Sequence, residues 1–425
     1  MAQDRHTHRR RIAVVGSGVS GLTAAHILRG RAEVTLLEAD DRLGGHAHTH
    51  RVTGEDGGEL LVDSGFIVHN RRTYPHLTRI FDELGVETRP AEMSLSVSCD
   101  GCGLEYAGAR GARALLPTGS RAGAAHLRML VEIPRFHRAA RALLAAPDDG
   151  PGPTLGEFAA DRGLSRHTIA HFLVPLVSAV WSCPPGTALD YPARYLFTFL
   201  DHHGMLGVWG SPRWRTVAGG SRSYVERIAK NLDAVRTGAP VRSLERRPGG
   251  VRLRAGGDVL EFDAAVVAVH ADRALALLER PTPDERAVLG SFRYSRNRTL
   301  LHTDASVLPR DPAVRASWNH RLPSCDPREG AVRVTYDMTR LQRLPGRRRH
   351  LVTLNDDGRI RPDLVLAEMD YEHPVYTPEV LAAQRRLPDL DDGVVAFAGA
   401  HHGWGFHEDG CASGVRAAES LGAAW

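Results

Sequence analysis

Three glycines, Gly16, Gly18 and Gly21, interrupt an otherwise apolar stretch, "RIAVVGSGVSGLTAAHILRGRAEVTLLEADDRLGG". That spacing suits one task, holding a dinucleotide pyrophosphate. Gly16 permits a tight turn, Gly18 lets the backbone approach the phosphates, and Gly21 lets a helix pack closely on the preceding strand. The helix start then offers unpaired N–H groups and the positive end of its dipole. Glu38 ends a second apolar strand, Val34 to Leu37, where a carboxylate can accept hydrogen bonds from a ribose. Ser17 and Ser20 inside the turn and Ala39 beside Glu38 complete this group.

A second cluster lies at the other end of the chain, in "AFAGAHHGWGFHEDGCASGVRAAESL" (396–421). An apolar strand runs into a helix with Glu408 and Asp409 near its start, where acids suit the dipole. An acid-capped surface helix explains the acids but not the Gly-Trp-Gly-Phe before them. Gly399, Gly405, Phe406, His407, Glu408 and Asp409 therefore read as a second wall of the cofactor site.

The 425-residue chain must bring these ends together. It is 42% hydrophobic, enough for a substantial core and more than one domain. A net charge of +4, with no basic tract interleaved with aromatics, argues against nucleic acid. Lys230 is the only lysine. The five cysteines form no dense framework, which fits a reducing, cytoplasmic setting. Cys99-Asp100-Gly101-Cys102 reads as a hairpin turn between two alternating runs; zinc would need a second ligand pair, and the sequence places none. "HAHTH" would set His46, His48 and His50 on one face of a strand, but it has no acidic or cysteine partner, so no metal site is expected. The N-terminus, "MAQDRHTHRRR", lacks the apolar region of a signal peptide. The apolar segment "FLVPLVSAVW" (172–181) is too short to span a bilayer, which takes ~20 residues, leaving at most peripheral membrane contact.

Beyond the triad, Glu38-x-x-x-Arg42-x-Gly44-Gly45 resembles the flavin-binding signature of the amine oxidase and phytoene desaturase superfamily. The resemblance extends in order along nearly the whole chain. It implies an α/β fold: a Rossmann-type (GR2-like) FAD-binding domain with an inserted α+β substrate domain, amine-oxidase-like. The FAD-binding domain would be discontinuous (1–90, 215–275 and 390–425), and 91–214 with 276–389 would build the substrate side. The resemblance also implies Arg42, Gly44 and Gly45 along the phosphates, and His46 at the turn from pyrophosphate to flavin. Gly65, Phe66 and Ile67 would lie beside the ring, Val241 against the adenine and Phe406 facing the isoalloxazine.

"DSGFIVHNRRTYPHL", "VTYDMTRLQ", "YEHPV" and "GWGFHEDG" resemble a bacterial subgroup of predicted FAD-binding oxidoreductases. That likeness implies an acyl-chain or lipid substrate and a cyclopropane-synthase-like lipid methyltransferase as partner. Residues 289–302 hold no lysine where amine oxidases of this fold carry one near flavin N5. This departure favours desaturation or isomerisation of an apolar substrate. Oxidation of an amine or polycyclic substrate, and a non-catalytic FAD- or lipid-binding accessory role, are the alternatives. His407, Tyr74, His69 and His373 lead the candidates for proton transfer, with Asp337 and Tyr371 behind them. Residues 121–183 read as mostly helical, broken at Pro134 and at "APDDGPGP"; 292–304 and 331–337 read as strands.

Overall fold

The structure, a computed structural model, describes residues 9–116, 123–148, 150, 152–207 and 210–425. Residues 1–8 and part of "APDDGPGP", both read above, lie outside that set.

A five-stranded parallel sheet organises the cofactor side. Its order is Val395–Phe397, Ala264–Val267, Arg10–Val15, Ala32–Leu37 and Ala234–Arg236. The central strand pairs Val15 with Val267 on one side and with Leu37 on the other. Three strands thus end level, at the edge where a doubly wound sheet takes its ligand. Residues 12–15, 264–267 and 395–397 are fully buried, as expected for strands covered on both faces.

The helix Val19–Leu28 follows the glycine turn and is buried along its whole length. The final helix, His407–Ser420, lies directly against it. Two glycines make that approach feasible: a Cβ on Gly410 would come within 2.5 Å of Val19 Cγ1, and one on Gly414 within 2.4 Å of Ser20 O. The last helix of the chain is thereby fixed across the first.

The second sheet has seven strands in the order Val365–Val375, Arg293–His302, Leu351–Leu354, Val334–Asp337, Trp318–Leu322, Leu95–Cys99 and Glu105–Gly108. Its strands come only from 95–108 and 293–375, whereas those of the parallel sheet come from 10–37, 234–267 and 395–397. Helices between 123 and 202 pack around a core of aromatic and aliphatic side chains including Phe136, Phe158, Trp181 and Phe197.

Two sequence expectations need correction. The helix Gly123–Ala145 runs through Pro134 without a break. A proline removes one i→i−4 bond, and burial of Met129, Glu132, Phe136 and His137 on either side holds the flanking turns. The histidines of "HAHTH" also do not share one strand face, because the strand begins at Thr49 and contains only His50. "FLVPLVSAVW" begins in a π-turn, Ile169–Leu173, and continues as a buried helix, Val174–Trp181. Among the described residues, no helix is long and apolar enough to cross a membrane.

Candidate cofactor and substrate site

The three glycines of the first turn have different jobs, visible in what a side chain would meet. At Gly16 (φ +98°) a Cβ would lie 2.5 Å from Ala268 O, and at Gly21 it would lie 2.0 Å from Gly16 O. Both positions are packed shut. Gly18 has nothing within 4 Å of its Cβ position. It caps the helix Val19–Leu28 without a side-chain cap and with no acid in the first turn, so the first helical N–H groups face open space with an uncompensated positive dipole. This donor set fits a dinucleotide pyrophosphate. Ser20 contributes only its backbone there, since its hydroxyl packs against Gly410.

Around this cradle the signature residues knit together. Glu38 Oε2 accepts from the N–H (2.8 Å) and hydroxyl of Ser17, and Oε1 accepts from Asp40 N–H, just past Ala39. Gly44 N–H donates to Ser17 Oγ at 3.0 Å, and Arg42 donates to Gly45 O at 2.9 Å. Gly45 (φ +56°) would place a Cβ 3.2 Å from Gly18 Cα, closing the cradle from above. Ala239 N–H donates to Glu38 O, which brings the chain leading to Val241 along the nucleoside side. These residues fit the adenosine diphosphate part of FAD.

Further along, Phe66 N–H donates to His46 O at 2.7 Å, and a Cβ on Gly65 would clash with that oxygen at 2.2 Å. Ile67 O accepts from the Thr216 hydroxyl. The Phe66 ring stacks on His407, with centroids 3.8 Å apart. His407 Nε2 faces the hydroxyl of Tyr224 at 3.0 Å. Burial, reinforced by His46 and His69, holds the His407 pKa well below the ordinary histidine value. Residues 16–21, 45–46, 65–67 and 406–407 thus form one continuous wall, joining the two ends of the chain.

The candidate proton-transfer residues fall into two groups. His69 is buried, its Nδ1 without a hydrogen-bond partner among the described residues, and lies edge-on to Phe81; burial lowers its pKa to about 4. Tyr74 sits 6.5 Å from the His69 ring and 6.3 Å from His203, its pKa raised by burial. With His407 these residues border the Phe66 side. His373 belongs to the other group: its Nδ1 pairs with Asn297 Nδ2 at 3.0 Å, and its ring meets His46 at 5.6 Å. Tyr371 joins it there, its hydroxyl bonded to Ser64 and His48. His50 bonds Ser64 in turn, so His48 and His50 serve a hydrogen-bond network, whereas the buried His46 Nε2 has no hydrogen-bond partner among the described residues. Asp337 is separate, capping the short helix Met338–Leu341 and pairing with Arg349.

The two acids of the last helix divide their work. Asp409, pushed up to about 7 by burial, accepts from Phe406 N–H at 2.9 Å and sets the Gly403–Phe406 loop. Glu408 turns away to the helix Pro75–Leu84, accepting from the N–H groups of His76 (3.0 Å) and Leu77 (3.1 Å) and from the His76 ring. That helix has no side-chain cap of its own. Glu408→Ala should therefore retain FAD but lose about 1 kcal/mol of stability, checked by urea midpoints with and without added FAD. An unchanged midpoint would remove the capping role.

Several residues at the site carry no local signal in the sequence. Asp63 accepts from Thr49, its partner across the hairpin, from Ser221 N–H and Oγ (3.0 and 2.8 Å) and from Gln342 (3.0 Å), joining three distant segments. Phe199 and His203, from the helix Ala193–His202 and its cap, stack on each other at 4.0 Å, and Phe199 stacks on Phe406 at 4.7 Å. With Tyr74, Trp404, Asp409 and the exposed Arg72 they line a cavity of about 230 Å³. Gly405 (φ +93°) and Gly399, whose Cβ would strike the His401 ring, shape the loop beneath it.

A glycine cradle at the edge of a parallel sheet, faced by a C-terminal helix start and an aromatic cavity, defines a flavin-dependent oxidoreductase site. The flavin containing amine oxidoreductase family matches residues 19–296, and the chain belongs to that family, with FAD as its cofactor. A coproporphyrinogen III oxidase of Mycobacterium leprae is 28% identical over 298 residues, covering 64% of this chain and 62% of that protein. The chain thus matches less than two thirds of that relative's length. A CLA-producing fatty acid isomerase from P. acnes superposes with a TM-score of 0.69 at 17% identity, covering 96% of this chain and 97% of the other. Cyclohexylamine oxidase from Brevibacterium oxydans superposes equally well, at 0.69 with 18% identity over 97% and 98% of the two chains. Both likenesses establish the fold.

Proposed function

We propose that the chain oxidises or isomerises an unsaturated acyl chain of a fatty acid or lipid, using FAD. The observation that carries this reading is the cavity between Tyr74, Phe199, His203, Trp404 and Phe406, with the guanidinium of Arg72 at its edge. Aromatic walls favour an apolar chain, and the exposed Arg72, whose guanidinium is held by the carbonyls of His202 and Gly210, offers its positive charge to a carboxylate or phosphate head. The strand Arg293–His302 supplies no ammonium group to the site, and Lys230 is exposed just past the helix Arg222–Ala229. Support for amine chemistry is correspondingly weaker. The methyltransferase partnership implied by the subgroup resemblance goes with this reading, since both proteins would act on acyl double bonds.

Bound FAD supplies a hydride acceptor at its ring. The protein's part is to exclude water, orient the chain and manage protons. His407 is kept neutral by burial, and its Nε2 meets the Tyr224 hydroxyl at 3.0 Å, a pair placed to relay a proton beside Phe66. Tyr74, protonated throughout the ordinary range, can only donate. The packed rings of Phe199, Phe406 and Trp181 close the interior side against solvent.

The test is anaerobic. Holoprotein mixed with unsaturated fatty acid or phospholipid should either bleach at the flavin band or yield a shifted double bond. His407→Ala should keep FAD and lose that response by at least about a hundredfold, the scale of a lost general base. A flavin band that answers only to amines or porphyrinogens would overturn the acyl-chain reading. A wild-type response in His407→Ala would remove His407 from the mechanism.

A further inference from the structure

The C-x-x-C turn is not isolated. Although no second ligand pair could be placed from sequence, the fold brings His171 and Cys325 to it. The Sγ atoms of Cys99, Cys102 and Cys325 and one ring nitrogen of His171 all lie within 4.8 Å of one another. We propose that these four residues bind a structural zinc ion, remote in function from the flavin.

Two separations in this cluster match the edges of a zinc tetrahedron. With Zn–S of about 2.3 Å and Zn–N of about 2.0 Å, regular tetrahedral edges are about 3.8 Å between sulfurs and about 3.5 Å between sulfur and nitrogen. Cys99 Sγ and Cys325 Sγ are 3.7 Å apart, and Cys102 Sγ and His171 Nε2 are 3.5 Å apart. The sulfur separation is far beyond a disulfide bond of about 2.05 Å. Three thiolates and an imidazole form a closed, soft ligand set, which selects zinc in a structural role.

The surroundings hold each ligand in place. His171 Nδ1 faces His167 O at 3.0 Å, which fixes the proton there and leaves Nε2 as the ligand atom, the usual outer-shell arrangement for a zinc-bound histidine. His171 lies in the π-turn Ile169–Leu173, and its carbonyl accepts from the Tyr106 hydroxyl at 2.7 Å. The strands Leu95–Cys99 and Trp318–Leu322 pair in parallel with Leu322 opposite Cys99, so Cys325 leaves the sheet on the same side as the turn. Gly101 lets the two loops touch: a Cβ there would sit 3.1 Å from Ser324 Cα. Arg321 and Arg359 anchor Asp100 between the two cysteines of the turn. An ion here would tie together three segments far apart in sequence: the hairpin, the loop after Leu322 and the helical segment carrying His171.

Elemental analysis of the purified holoprotein, prepared under reducing conditions without chelator, should find about one zinc per chain. Cys102→Ser and Cys325→Ser should each lower zinc content at least tenfold while FAD content is kept, and Cys183→Ser should leave zinc unchanged. Cobalt in place of zinc should give tetrahedral thiolate bands at longer wavelength than the flavin. If the variants do not fold, zinc content and cobalt spectrum of the unaltered protein decide alone. Holoprotein with less than a tenth of an equivalent of zinc, with iron or copper in its place, or with a Cys99–Cys325 disulfide would overturn the proposal. So would zinc retained in folded Cys102→Ser and Cys325→Ser.

Discussion

Gly18→Val is expected to give a folded protein that has lost its flavin. The position has open space around its Cβ and an ordinary φ of −62°, so a side chain fits the bare polypeptide. It would stand where the pyrophosphate meets the helix start. Loss of two phosphate hydrogen bonds to N–H groups, at about 1.5 kcal/mol each, weakens FAD binding at least about a hundredfold. Gly21→Val should behave differently, because its Cβ would lie 2.0 Å from Gly16 O and force the helix off the strand. The pair separates a ligand-facing glycine from a packing glycine. Far-ultraviolet circular dichroism and flavin content, measured together, check both. FAD retained at wild-type affinity in Gly18→Val would mean that the phosphates lie elsewhere.

The second large effect is acid lability. Burial lowers the pKa of His46 and His69 to about 4 and of His320 and His373 to about 3. In the unfolded chain these residues protonate near 6.5. As pH falls below that value the unfolded state takes up protons that the folded state refuses, so stability declines between about pH 6.5 and 4 and is unaffected above 7. Buried Asp63 and Asp391, raised to about 6, and Asp409, raised to about 7, work in the opposite direction. Their stabilisation is complete below the unfolded carboxyl value and is lost as pH rises through 6–7. The histidines win because they outnumber these acids: His203, His270 and His302 are also lowered to about 4. The balance is a net loss of stability on acidification, set against the ~5–15 kcal/mol that holds an ordinary domain together. Thermal midpoints should drop steeply from pH 7 to 5, with unfolding before about pH 4. A midpoint constant from pH 7 to 4.5 would refute this.

The parts of the site legible in the sequence are those built by neighbours along the chain. The glycine turn, the strands either side of it and Glu38 lie within one short segment, so spacing alone defined their geometry. Gly405, Phe406 and His407 stand out in the sequence because aromatic and glycine residues sit where a plain helix cap needs neither, and the fold sets Phe406 on Phe199 and His407 on Phe66. What escaped is what the fold assembles from afar. Asp63 meets Ser221 and Gln342 only through tertiary packing. Glu408 reads locally as a cap for its own helix, yet its oxygens serve the helix Pro75–Leu84. Cys99 and Cys102 look like a bare hairpin until a parallel strand pair and a π-turn deliver Cys325 and His171. Pro134 misled because propensity predicts a break that burial on both sides overrides.

The most direct test of the account is to release and identify the cofactor of the purified protein. Denaturation and chromatography of the supernatant should yield one FAD per chain from a yellow protein, and none from Gly18→Val. A colourless protein that takes up no added FAD, or one that releases a nicotinamide dinucleotide instead, would contradict it.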